Sequence, residues 1–141
     1  MKTVARHLAM APGTLVVRLR RVRLADGVAM SFDETYLPHD IGEKVVENDL
    51  EAEPVFALLE DKYETPLVQA EYKLEAAAAE PVAAQALQVP IGSPIFLIER
   101  TSYTTGNRPV DYERLHYRGD LTRFVTRLAR RPRTSRQTGG A

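Results

Sequence analysis

Four arginines fall between Arg18 and Arg23, in the run Val17-Arg18-Leu19-Arg20-Arg21-Val22-Arg23-Leu24-Ala25-Asp26-Gly27. Read as a strand closing in a tight turn, the run sends Arg21 and Arg23 from one face and Arg18 and Arg20 from the other. Two guanidinium forks on one sheet face have three outcomes. They reach solvent, they meet carboxylates (Asp33, Asp111 and Glu113 are the candidates), or they hold an anionic ligand through charge-assisted, often bidentate hydrogen bonds. His7, His39 and His116 are scattered without metal-ligand spacing, and the absence of cysteine removes disulfides, thiolate metal sites and cysteine nucleophiles. No metal and no cofactor are expected.

The elements that position these arginines follow from alternation and turn residues. Leu15–Leu24 reads as a strand, Ala25-Asp26-Gly27 as a turn, and Val28–Leu37 as the return strand, stopped by Pro38. A two-residue Asp-Gly loop pairs Ala25 with Val28 and puts Arg23 opposite Met30. A three-residue Ala-Asp-Gly loop with a bulge at Gly27 pairs Arg21 with Ser31 and Leu19 with Asp33. The second is preferred, because it brings Asp33 to the arginine face.

Further along, Thr3–Met10, Asp40–Val46, Pro54–Tyr63 and Pro81–Leu87 read as helices. Pro54 stands at a first-turn position, and Val55, Leu58 and Leu59 at core spacing. Leu67–Ala77 alternates as a strand. Pro94–Thr104 and Pro109–Arg118 form a hairpin through Thr105-Gly106-Asn107-Arg108, and Thr122–Leu128 alternates once more. His116 and His39 are expected at the surface. The pattern is α+β: an antiparallel β-sheet with helices packed against it.

Composition bounds the function. A chain of 141 residues suits one domain, and 44% hydrophobic with 27% charged residues is ordinary for a globular protein. No segment approaches the roughly 20 apolar residues of a membrane span. No secretory leader is evident either, so a cytoplasmic location and no membrane partner are expected. Formal net charge is zero but uneven. Twelve acids face three lysines between Asp40 and Glu80, while the last fifteen residues carry five arginines and no acid. Arg133–Ala141 reads as a disordered basic tail, leaving 1–132 as the folded domain.

The order of the pieces resembles a known family. Arg21-x-Arg23-Leu-Ala-Asp-Gly is followed by Met30, Asp33 and Thr35-Tyr36-Leu37-Pro38. Then come Asp49-Leu50, Val55-Phe56-Ala57-Leu58-Leu59-Glu60 and Ala86-Leu87-Gln88-Val89-Pro90-Ile91-Gly92-Ser93-Pro94. Arg108-Pro109-Val110-Asp111-Tyr112, Tyr117-Arg118-Gly119-Asp120 and Phe124 close the pattern. This is similar to the UTRA domain, the effector-binding half of bacterial GntR-type transcription regulators of the HutC subfamily, over residues 3–130. The resemblance implies a chorismate-lyase-like fold, a cleft for a small anionic metabolite, and a homodimer. It also implies a winged helix-turn-helix domain that grips operator DNA. This sequence shows no helix-turn-helix, so operator DNA is expected only through a domain outside it.

Carried over position by position, the resemblance assigns the family's anion-holding arginines to Arg21 and Arg23, and its return-strand acid to Asp33. The acid and tyrosine of the penultimate strand fall on Asp111 and Tyr117, which alternation puts on one face with Glu113 and Leu115. Phe56 stands where the family has a tyrosine; its residue type favours a core position over a ligand platform, and it is kept as a sixth candidate beside that alternative. Where the family opens this helix with Gly-Ser-Leu-Tyr, Glu53-Pro54-Val55-Phe56 lacks both hydroxyls and one backbone donor. A smaller or less charged anion, or a more apolar carboxylate, is therefore expected rather than a sugar phosphate. The competing expectation is a lyase-like enzyme acting on a small carboxylate. It wants an acid or base poised at a reacting atom, for which Asp33, Asp111 and Glu113 are available.

Overall fold

A two-residue turn sets the first hairpin. Asp26 and Gly27 both take positive φ, 51° and 77°, the mirror-image turn that matches strand twist and that Asp-Gly favours. In the computed structural model, which describes residues 2–130, this turn joins β1 (Val16–Ala25) to β2 (Val28–Pro38). The other strands are β3 (Gln69–Ala78), β4 (Pro94–Thr104) and β5 (Arg108–Arg118). All pairings are antiparallel, in the order β1-β2-β5-β4-β3. The basic tail expected over 133–141 lies outside the described residues.

The expected three-residue loop is corrected. Ala25 pairs with Val28, as in a two-residue loop, and the extra residue sits at Met30 instead. Arg23 therefore faces Ser31 and Arg21 faces Asp33. A bulge adds one residue to one strand without disturbing alternation in the other. Asp33 still arrives on the face of Arg21 and Arg23, by a different route.

Helices cover the two faces unequally. On one face α1 (Lys2–His7) and the residues after it lay Val4 and Leu8 on Tyr36 and Tyr112, and α4 (Pro81–Leu87) packs Ala83, Ala84 and Leu87 against Phe32 and Ile95. His116, expected at the surface, is buried on this face. Its Nδ1 donates to the Phe32 carbonyl oxygen at 3.0 Å, and its ring packs against Phe32.

On the other face α2 (His39–Val45) and α3 (Val55–Ala57) build a cluster of Leu37, Ile41, Val45, Val55, Leu58, Leu59 and Val110. The α-helix expected over Pro54–Tyr63 is shorter than expected and continues as a π-turn over Leu58–Lys62. There the Tyr63 amide donates to the Leu58 carbonyl at 2.9 Å, while its hydroxyl donates to the Lys44 carbonyl at 2.8 Å. That anchor holds the widened turn onto α2. The cluster occupies only one end of the face; the remainder lies open. Thr122–Leu128, expected to alternate as a strand, pairs with none; Phe124 packs edge-on to Phe96 and Tyr117.

Candidate ligand-binding cleft

The open part of the sheet face carries Arg21 and Arg23 from β1, Ser31 and Asp33 from β2, Asp111, Glu113 and Tyr117 from β5, and Arg100 from β4. A cleft of about 860 Å³ lies over it, walled by Arg21, Arg23, Arg100 and Glu113 and by Leu50, Val55 and Phe56 from the segment above. Of the six residues expected at a site, Arg21, Arg23 and Phe56 line this cleft. Asp33 and Asp111 are sealed among the arginines that line it, and Tyr117 stands farther along the same face against Phe124. Phe56 is 56% exposed, which removes the alternative of a core position.

The arginines are not equivalent. The Arg23 Nε donates to Asp33 Oδ2 at 2.6 Å, closing an ion pair on a carboxylate that is 1% exposed. Arg100 Nη2 donates to Glu113 Oε2 at 2.5 Å and lies 3.7 Å from Asp111 Oδ2. Its guanidinium also sits 6.0 Å from the Tyr72 ring centroid, a cation–π distance. Arg21 has no ion pair among the described residues. On the reverse face Arg20 pairs with Glu34 at 3.1 Å, away from the cleft, as alternation requires.

Five buried polar atoms on this one face have no hydrogen-bond partner among the described residues: Arg21 Nε, Ser31 Oγ, Asp33 Oδ1, Arg100 Nε and Asp111 Oδ1. Leaving such a group unsatisfied costs about 1–3 kcal/mol, so the cluster is a concentration of unmet hydrogen-bonding capacity. It offers donors from the arginines and acceptors from the carboxyls. Burial pushes the Asp111 carboxyl well above the usual carboxylate range, and the neighbouring Glu113 charge adds to this, against the opposing pull of Arg100 and Arg21. Burial and the Asp33 charge likewise raise the Tyr117 phenol, which keeps its proton.

Arg100 was not among the sequence candidates. The signal for it was available in the β4–β5 hairpin: the turn expected over Thr105-Gly106-Asn107-Arg108 sets Arg100 opposite Glu113, a pairing the structure reaches with a tighter turn and a bulge at Val110. Ser31 was placed on the arginine face by the expected register, opposite Arg21; the Met30 bulge sets it opposite Arg23 instead.

The sequence matches the UTRA domain family model over residues 1–123. The chain belongs to the UTRA domain family. The UTRA domain is 31% identical over 114 residues to the HTH-type transcriptional regulator Rv0792c of Mycobacterium tuberculosis, covering 79% of the chain and 42% of the relative. It is 28% identical over 108 residues to the HTH-type transcriptional repressor NagR of Bacillus subtilis, covering 77% and 44%. It thus spans less than half the length of these curated relatives. Among solved structures, the C-terminal domain of the histidine utilization repressor from Pseudomonas syringae superposes with a TM-score of 0.82 at 25% identity, covering 89% of this chain and 87% of that one. The antiparallel five-stranded sheet with its helices is therefore the architecture of a UTRA domain from a transcription regulator.

Proposed function

We propose that this UTRA domain, over residues 1–132, is the effector-sensing and dimerising part of a bacterial GntR/HutC-type transcription regulator. A small anionic metabolite binds in the cleft at Arg21, with Arg23, Asp33, Asp111, Phe56 and Tyr117 shaping the site. Operator DNA is reached through an attached winged helix-turn-helix domain, and the protein works in the cytoplasm, where that DNA is. The observation that carries this reading is the set of unpartnered buried polar atoms gathered under the cleft. A ligand bearing both acceptors and donors satisfies them, and a ligand that favours one arrangement of the dimer shifts its population accordingly.

The role is binding rather than catalysis; that the relatives are transcription regulators supports it. Thermal melting against a panel of carboxylates, sugar phosphates and nucleotides is the direct test. A ligand at 100 times its dissociation constant adds about 2.7 kcal/mol of stability. Arg21→Ala should abolish that gain without lowering the melting temperature of the free protein. An unchanged ligand shift in the variant would place the site elsewhere. Incubation with chorismate should release no pyruvate; turnover would establish the enzymatic reading instead.

A further inference from the structure

The cleft is charged in a way that limits its ligand. Two of its three arginines are already neutralised, Arg23 by Asp33 and Arg100 by Glu113 with Asp111 close by. Only Arg21 is without an ion pair among the described residues, and its buried Nε has no partner. One cation without an ion pair, in a cleft whose wall also carries the Glu51 carboxylate, matches a ligand of no more than one negative charge. A dianionic headgroup would bring its second charge against Asp33 and Glu113, whose partners are already engaged.

The walls limit the ligand further. Beyond Phe56 and Arg100, which line both spaces, lies a second hollow of about 380 Å³ bounded by Leu67, Val68, Ala70 and Tyr72, with Glu60, Gln69 and Ser102 as its polar lining. Phe56, Val68 and Tyr72 are each more than half exposed. Large apolar side chains clustered on a rim, open to water and continuous with a polar pocket, mark a binding surface rather than scattered exposure.

Resting on the reading of the cleft as the effector site, we propose that the effector is an amphipathic monocarboxylate. Its carboxylate sits on Arg21, and its apolar body runs past Phe56 into the second hollow. Arg100 is the positioning residue at the junction. Held by Glu113 and flanked by Tyr72, it keeps the passage open and presents its free Nε to the ligand's polar end.

Calorimetric titration of the full chain with butanoate, hexanoate and octanoate, beside succinate and glucose 6-phosphate, tests this. A fully buried methylene is worth about fourfold in affinity, so octanoate should bind about tenfold or more tighter than butanoate even if its tail is only partly covered. Ala70→Phe fills the second hollow from an exposed position on the edge strand. It should remove the chain-length gain, so that octanoate binds no tighter than butanoate. Arg21→Gln should weaken all three monocarboxylates by about tenfold or more.

Tighter binding of succinate or glucose 6-phosphate, lost in Arg21→Gln, would keep the effector site and overturn the monocarboxylate. So would equal affinity along the series, or no binding of any member. Binding indifferent to Arg21→Gln would remove the effector site itself. If Ala70→Phe alters the sedimentation of the protein but spares the chain-length gain, the hollow is a subunit contact and the proposal fails.

Discussion

The Asp111 carboxyl holds a proton more tightly than an exposed carboxyl does, for reasons that sit within a few ångströms of it. It is buried, Glu113 stands two residues along the same face, and Arg100, which lies 3.7 Å from Asp111, gives its shorter contact to Glu113. Burial and like charge both favour the neutral acid. A carboxyl raised in the folded state binds a proton more tightly there than in the unfolded chain. Stability is then highest below the unfolded value and falls as pH rises toward the folded one, by up to about 1.4 kcal/mol per pH unit for one proton. Asp111→Asn removes the titration while keeping the shape. Denaturant melts from pH 4 to 8 should show the variant gaining on the wild type as pH rises. A constant difference across that range would mean Asp111 is ionised in the folded protein. The closed ion pair of Arg23 with the buried Asp33 carboxylate leaves Arg23 less able than Arg21 to serve a ligand, although alternation alone makes the two equivalent.

Between residue and sheet, the decisive device is the bulge at Met30. Side-chain direction has a period of two, so an extra residue that no bulge absorbs moves every residue beyond it to the other face. Removing Met30 leaves Ala25 opposite Val28, Leu24 opposite Ala29 and Arg23 opposite Ser31, which is the register already present on either side. The deletion should therefore fold and melt within a few degrees of the wild type. Inserting one alanine between Phe32 and Asp33 should instead swing Asp33 away from Arg21 and collapse the melting transition. Circular dichroism of the two variants makes the comparison, and a deletion that unfolds would show the bulge itself to be required.

The same element explains what could be read in advance. Pro81–Leu87 and Pro94–Thr104 fall where alternation and proline put them, because those signals are local. The parity that brings Asp33 to the arginines was legible too. The register was not, because Asp-Gly serves both loop lengths and nothing local marks Met30 as the extra residue. His116 was misjudged for a related reason: its burial depends on α4 crossing the reverse face, a tertiary event that no pattern within β5 encodes. Phe56 lacked any local signal separating core from cleft, since α3 buries Val55 and exposes its neighbour one residue later.

At the scale of the molecule, the sheet ends in two open edges, and they are not equally suited to a second copy. Edge β3 is exposed along nearly its whole length and carries Glu71, Lys73 and Glu75, charges of the kind that keep edges from pairing indiscriminately. The segment after β5 is different. Val125 and Leu128 are 82% and 85% exposed, two large aliphatics in an alternating stretch that pairs with no strand. Phe124, locked against Phe96 and Tyr117, fixes where this stretch leaves the cleft face. A dimer formed through it would couple subunit arrangement to Tyr117 and so to the ligand site, which is what a sensor requires. If the proposed dimer forms through it, Val125→Asp with Leu128→Asp should sediment as a monomer where the unsubstituted protein sediments as a dimer, and should leave the melting of the isolated fold nearly unchanged, because neither side chain contributes to the core. A dimer that survives both substitutions would move the interface to the edges, with Leu74→Lys on β3 as the variant that then separates the subunits.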